Sequence, residues 1–156
     1  MTYLGSCLCG RVQFKAEGPA IDVHYCHCRM CQRATGSAFA ILAWFDLGDV
    51  LWTHGRPKIL RSSSTAQRGF CADCGTPLLL HYDGEHRLGL MVGTFERAAD
   101  LVPLRHASLE SRLPWTDISE NADKDFIQPA AAVIAGSMSD TCCRLPGPQP
   151  TSSEIS

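Results

Sequence analysis

Nine cysteines in 156 residues constrain this chain more than any other feature, because seven of them fall in three tight clusters. These are Cys7-x-Cys9, Cys26-x-Cys28-x-x-Cys31 and Cys71-x-x-Cys74. The total is odd, and the opening MTYLGSCLCGRVQF has no basic stretch followed by an apolar one. Both facts argue against export and against a disulfide framework, so a cytoplasmic chain is expected. Partners two or three residues apart suit a tetrahedral metal better than a disulfide. On an extended strand a CxC sends both side chains to one face, and a CxxC wraps a turn around one ion. Zinc–sulfur bonds of about 2.3 Å are compatible with both spacings.

Seven ligands divide naturally as four plus three. Cys7, Cys9, Cys71 and Cys74 form two remote pairs that together complete a closed, structural zinc site tying the start of the chain to a segment some sixty residues later. Cys26, Cys28 and Cys31 can cap a second zinc from one side, leaving a fourth position for water or substrate, as in a catalytic site. The other partition joins Cys26 and Cys28 to Cys71 and Cys74 and leaves three cysteines over. His24 is the rival for the fourth position, since it shares a strand face with Cys26. His27, between two ligands, is expected to point away from their ion. Arg11, Arg29, Arg33 and Arg68 lie near the clusters and can offset thiolate charge. Arg68 is open to two readings, a strand-surface residue or a binder of a substrate carboxylate.

The rest of the sequence reads as short strands. Val12, Phe14 and Ala16 alternate with polar residues directly after the first cysteine pair. Residues 21–25 lead into the second cluster, and QRATGS after Cys31 can make one helical turn. AFAILAWF has the bulk of a central strand; VLWTHG and PKILRS follow at strand length. Residues 76–82, the turn signal Asp83-Gly84 and the return strand RLGLMVG make a hairpin, and residues 95–101 can form a short helix before Pro103. The reading is an all-β or β-rich domain over residues 1–118. A segment that can form a short helix follows at 119–135, and a flexible Ser/Pro/Gly-rich tail at 136–156 carries Cys142 and Cys143 as surface thiols. The longest apolar run, residues 39–45, is far below the ~20 residues of a membrane-spanning helix. A net charge of −2 without a Lys/Arg stripe argues against nucleic acid or an anionic membrane as partner. The βαβ setting of a thioredoxin-like CxxC is missing.

The ordered set GSCLCGRVQF, CHCRMCQRATGSAF, Ser62-Ser63, RGFCADCGTPL, VGTF and SRLPWTDI resembles the glutathione-dependent formaldehyde-activating enzyme family, which also contains centromere protein V. The resemblance covers roughly residues 3–118. It implies a β-tent fold of short antiparallel strands with two Zn²⁺ per chain. It also implies a structural zinc on Cys7, Cys9, Cys71 and Cys74 and a catalytic zinc on Cys26, Cys28 and Cys31. The implied activity is that of a carbon–sulfur lyase, which adds a small thiol such as glutathione to a small aldehyde such as formaldehyde or cleaves the S-hydroxymethyl adduct. An open Cys₃ zinc would favour the thiolate of the incoming thiol. The carbonyl then needs its own donor, for which backbone N–H groups near Gly36 are the expectation. His106 is expected as a satisfied strand histidine and Trp115 as a core residue. The competing class is a non-catalytic, zinc-stabilised binding module whose second site is closed.

Overall fold

The computed structural model describes residues 1–118, so the expectations for 119–135, 136–156, Cys142 and Cys143 lie outside the described residues. The strands, in chain order, are β1 (Thr2–Ser6), β2 (Gln13–Glu17), β3 (Asp22–Cys26), β4 (Ala40–Asp46), β5 (Val50–His54), β6 (Lys58–Arg61), β7 (Ala66–Phe70), β8 (Pro77–Tyr82), β9 (Arg87–Met91) and β10 (Arg105–Ala107). One α-helix, α1 (Arg29–Thr35), follows β3. The β-rich reading therefore holds, with two adjustments. The expected helix at 95–101 is a single 3-10 turn, Ala98–Asp100, and the turn after Cys31 is a full short helix that begins inside the cysteine cluster.

The strands form two sheets, one of three in the order β1-β2-β5 and one of seven in the order β10-β3-β4-β9-β8-β7-β6. β4 is the structural centre of the larger sheet because almost every residue in it has a buried surface to fill. Its side chains alternate between two cores. Ala43 and Phe45, joined by Ile41, face the smaller sheet and pack with Tyr3, Phe14, Ala16, Leu88 and Leu90. Ala40, Leu42 and Trp44 face the other way, toward Cys26, Cys28, Cys31, Leu80 and Met91.

Aromatic rings lock the first core. Phe95 meets Tyr3 and Phe14 edge to face, with centroids 6.1 and 5.0 Å apart, a geometry favoured by the ring quadrupoles. Phe14 lies directly over Gly5 of β1: a Cβ there would come within 2.2 Å of its ring. The Phe14 ring can lie across its own sheet onto β1 only because its cross-strand partner, residue 5, has no side chain.

All strand pairs but one are antiparallel. β10 adds to β3 in parallel, with Arg105 opposite His24 and Ala107 opposite Cys26, so one parallel pair joins the expected antiparallel strands. A parallel neighbour requires a long return path, and residues 27–104 supply it. An ion pair fixes this added strand. Arg105 Nε donates to Asp22 Oδ1 at 2.9 Å, and its Nη2 reaches the other carboxylate oxygen. Burial pushes the Asp22 carboxyl up, but His24 and then Arg105 outweigh it and hold the group below its ordinary value.

A carboxyl whose pKa falls on folding contributes stability above its unfolded value of about 3.9, and loses it as pH drops through the lower folded value. Asp22→Asn is therefore expected to cost about 1–3 kcal/mol at pH 7, the range for a charged hydrogen bond. The gap to the unsubstituted protein should begin to shrink below about pH 4 and vanish only below the lower folded value. Urea denaturation of both proteins between pH 7 and 3 measures this, and equal stability at pH 7 would refute the role given to the pair.

Candidate metal centres

The four-sulfur cluster is built from two turns of one design. After β1 the chain reverses at residues 7–10: Gly10, at φ +74°, donates its N–H to Cys7 O at 3.0 Å, and Cys7 N donates to Val12 O at 2.9 Å. After β7, Gly75 at φ +75° donates to Cys71 O and Cys71 N donates to Thr76 O, both at 2.9 Å. Glycine serves here because the left-handed backbone disfavours any Cβ. Cys7 and Cys9 therefore sit in a turn rather than on an extended strand. Ser6 and Gln13 are paired in the hairpin of β1 and β2, so the residues between them must turn.

The two turns interlock. Leu8 N donates to Thr76 Oγ1 at 3.1 Å and Arg11 Nη1 donates to Asp73 Oδ1 at 2.8 Å. Cys7 Sγ lies 3.5 Å from Cys9 Sγ, which lies 3.8 Å from Cys71 Sγ. Hydrogen bonds from Thr76, first its hydroxyl and then its N–H, hold Cys74 down to about 5. Cys9 goes the other way: the Arg11 N–H lowers it, but burial and the Cys7, Cys74 and Cys71 sulfurs drive it up to about 12. Protons cannot all leave such a crowded group unless a cation replaces them.

The second cluster sits where β3 runs into α1. Cys26 ends the strand. Cys28 is the N-cap of the helix, with extended φ −60° and ψ 148°, and its sulfur accepts from Cys31 N at 3.3 Å. Cys26 Sγ and Cys28 Sγ are 3.6 Å apart. All three residues are buried, none above 8% exposed, whereas Cys9 of the other cluster is exposed. Hydrogen bonds from Cys26 and Cys28 pull Cys31 well below the ordinary thiol value against burial, and the Arg68 cation adds to the effect. Hydrogen bonding to Cys28 and Cys31, with burial, pushes Cys26 well above it.

Within each cluster the ligand atoms all lie within 4.8 Å of one another. A tetrahedral ion with sulfur bonds of about 2.3 Å requires sulfur–sulfur edges of about 3.8 Å, whereas a disulfide closes to about 2.05 Å. The donor set and its spacing therefore fit a thiophilic tetrahedral ion in both places. They also separate the sulfurs as four and three rather than joining Cys26 and Cys28 to Cys71 and Cys74.

Among the described residues, no histidine, cysteine or carboxylate joins the three-sulfur group. His24, the rival for that place, is engaged elsewhere: its Nδ1 is 2.5 Å from Asp22 Oδ2 and its ring stacks on Trp44. His27 points away from the sulfurs, with Nε2 at 2.8 Å from His106 Nδ1. Burial, then His106, then Arg112 lower the His27 pKa to about 4, so its ring is neutral near pH 7. His106 is buried in β10 and also stacks on Tyr25.

The structure departs from the sequence reading at Trp115 and near Gly36, and it takes Arg68 off the strand surface. Trp115 is 74% exposed rather than a core residue, because it lies in a turn beyond the last strand. The N–H groups of Gly36 and Ser37 both donate to Gln32 O, closing the helix, so the expected carbonyl donors near Gly36 are already in use. Arg68 is not on a strand surface. It is 7% exposed, with Nη2 3.5 Å from Cys31 Sγ. Ala66 signals this in the sequence, since it shares the parity of Arg68 and is itself buried.

Gln32, which the sequence reading passed over, straps the site together. Its Nε2 donates to His27 O at 2.6 Å and to Ser111 O at 2.9 Å. A cleft of about 320 Å³, lined by Thr35, Phe39, Ala40, Thr76 and Met91 among others, adjoins the three-sulfur cluster. Ala40 pairs with Cys26, and the Thr35 hydroxyl donates to Cys31 O at 2.8 Å.

Comparison with known proteins adds to this geometry. The family described as glutathione-dependent formaldehyde-activating enzyme matches residues 2–111. An uncharacterised lyase of Schizosaccharomyces pombe is 34% identical over 80 residues, which is 51% of this chain and 58% of that protein. The chain thus spans less than two thirds of the length of that curated relative. A crystal structure of a Rhodobacter sphaeroides protein matches with a TM-score of 0.55 at 25% identity, covering 67% of this chain and 99% of that one.

A closed metal site contributes folding energy directly. Cys71→Ser is expected to remove one bound metal equivalent and unfold the domain, read by metal analysis and circular dichroism. A folded Cys71→Ser protein would show that the four sulfurs do not hold the sheets together.

Proposed function

The chain belongs to the glutathione-dependent formaldehyde-activating enzyme family, and from that premise we propose a zinc-dependent enzyme of the carbon–sulfur lyase type. It joins a small thiol of the glutathione class to a small aldehyde of the formaldehyde class, or cleaves the S-hydroxymethyl adduct. Cys7, Cys9, Cys71 and Cys74 hold a structural zinc in this reading, and Cys26, Cys28 and Cys31 hold the catalytic one. The reducing interior of the cell suits a chain whose seven described cysteines are all free thiols.

One observation carries the reading: the three sulfurs have no fourth protein ligand among the described residues, and the nearest rival, His24, is bound to Asp22. When bound there, zinc supplies a cationic seat that favours the thiolate form of a substrate thiol, which is the nucleophilic form. The chain's own residues do the rest. Cys28 caps α1, so the helix and the ligand set are fixed by the same sulfur. Ala40, Leu42, Leu80 and Met91 wall the cluster with apolar surface and keep water from competing for the aldehyde. The Arg68 cation lies against Cys31 and offsets thiolate charge.

The depth of the cluster favours a second reading, a zinc-stabilised binding module whose second site only supports the fold. Titration with thiols distinguishes the two. The enzyme reading expects two zinc ions per chain and, on adding glutathione or 2-mercaptoethanol, a fourth sulfur at the second zinc in its absorption-edge spectrum. No change in that spectrum supports the binding module.

Serine is a better helix N-cap than cysteine. Cys28→Ser should therefore keep the fold and the first zinc while losing thiol binding and catalysis over an enzyme-free control. Wild-type turnover in that variant would end the catalytic assignment.

A further inference from the structure

The sheet face that carries the three-sulfur cluster holds more polar hydrogen than it uses. Arg68 enters it from β7, and Trp44 enters it from β4, in one cross-strand row with Leu80 and Gly89 between them. Gly89 leaves room for the Trp44 indole, since a Cβ there would lie 3.0 Å from the ring. Arg68 spends Nη2 on Cys31 Sγ at 3.5 Å. Its Nε and Nη1, and the Nε1 of Trp44, are buried without a hydrogen-bond partner. A buried donor left unpaired is costly, and a cationic one more so. Neutralising thiolate charge would need only the one contact to Cys31. The remaining N–H groups therefore require a separate account.

We propose that Arg68 is a catalytic residue that receives the oxygen of the aldehyde as it becomes an oxyanion beside the three-sulfur cluster. The proposal rests on the thiol-to-aldehyde reading above and supplies the donor that Gly36 and Ser37 cannot. As the thiolate sulfur bonds to the carbonyl carbon, the π pair of the C=O bond moves onto oxygen. That oxygen accepts a hydrogen bond from Arg68, which keeps its own proton. Water then returns to the oxygen the proton that the thiol gave up to solvent, and the product is the neutral S-hydroxymethyl adduct with no change of redox state. A fixed buried donor aimed at developing negative charge needs no reorganisation when the charge appears. The contact to Cys31 places the guanidinium beside the sulfur ligands, so the new oxygen, two bonds from the attacking sulfur, falls close to it.

Formate, a one-carbon oxygen anion, is the probe. In the zinc-loaded full chain it is titrated while the Arg68 Nε–H resonance is followed by nitrogen-edited NMR, assigned by its loss in Arg68→Lys. The expected result is a saturable shift of that resonance. Arg68→Lys and Arg68→Met should each keep two zinc ions, bind formate at least tenfold more weakly, and lose about 10²- to 10³-fold in kcat, the effect of deleting one oxyanion donor. Unchanged formate affinity and kcat in both variants would overturn the proposal. So would loss of the second zinc in Arg68→Met with full recovery of metal, formate affinity and kcat in Arg68→Lys, because the residue would then only balance thiolate charge. A formate shift at Arg68 in a protein without thiol–aldehyde turnover would keep the anion site and remove the enzyme reading instead.

Discussion

Four sulfurs meet at the join between two sheets. The turn after β1 belongs to the three-stranded sheet and the turn after β7 to the seven-stranded one, and Cys7, Cys9, Cys71 and Cys74 meet where the two turns interlock. A domain of this size buries a limited core, here a layer of Tyr3, Phe14, Phe45, Phe95 and aliphatic side chains between the sheets. The smaller sheet covers only one face of the larger. Its position over that face sets how β4 is oriented, and so which of the β4 side chains are left to meet the second cluster.

The opposite face has a different character. Cys26, Cys28 and Cys31 gather there with the Arg68 cation, the Trp44 indole and the paired rings of His27 and His106 close by, all largely out of water. Charges and donors in such a place interact strongly and tolerate few errors of pairing. Asp22 and Arg105 pair completely, and His24 is taken into that pair rather than into the sulfur group. The chain thus keeps its strongest local ligand competitor occupied with a carboxylate. What is left around the three sulfurs is a set of residues that could hold an ion.

Much of this was readable from the residues because ligand chemistry is local. The Cys-x-x-Cys and Cys-x-Cys spacings, the alternation of Val12, Phe14 and Ala16, and the apolar mass of AFAILAWF each report on a few neighbours, and each corresponds to an observed element. The errors share a cause, which is dependence on partners far along the chain. Spacing alone cannot show that Ser6 and Gln13 pair and so close the turn at Cys7-x-Cys9. The parallel addition of β10 to β3 is set by Asp22 meeting Arg105, which no local pattern announces. Arg68 is open to two readings by type, and its parity with buried Ala66 in β7 shows that it turns inward. Trp115 reads as core by size, yet among the described residues it stays 74% exposed in a turn.

The two sulfur groups differ sharply in how far apart their members lie along the chain. Cys26, Cys28 and Cys31 span six residues, whereas the other group joins positions separated by more than sixty. Closing a short segment is entropically cheap, and closing a long one costs more and waits on other contacts. During synthesis the three-sulfur segment is therefore able to capture its ion as soon as it leaves the ribosome. The four-sulfur group must wait until β8 begins to emerge. If both groups take a metal ion, the spacing sets the order of capture, with the segment of residues 26–31 first and the two remote turns afterwards.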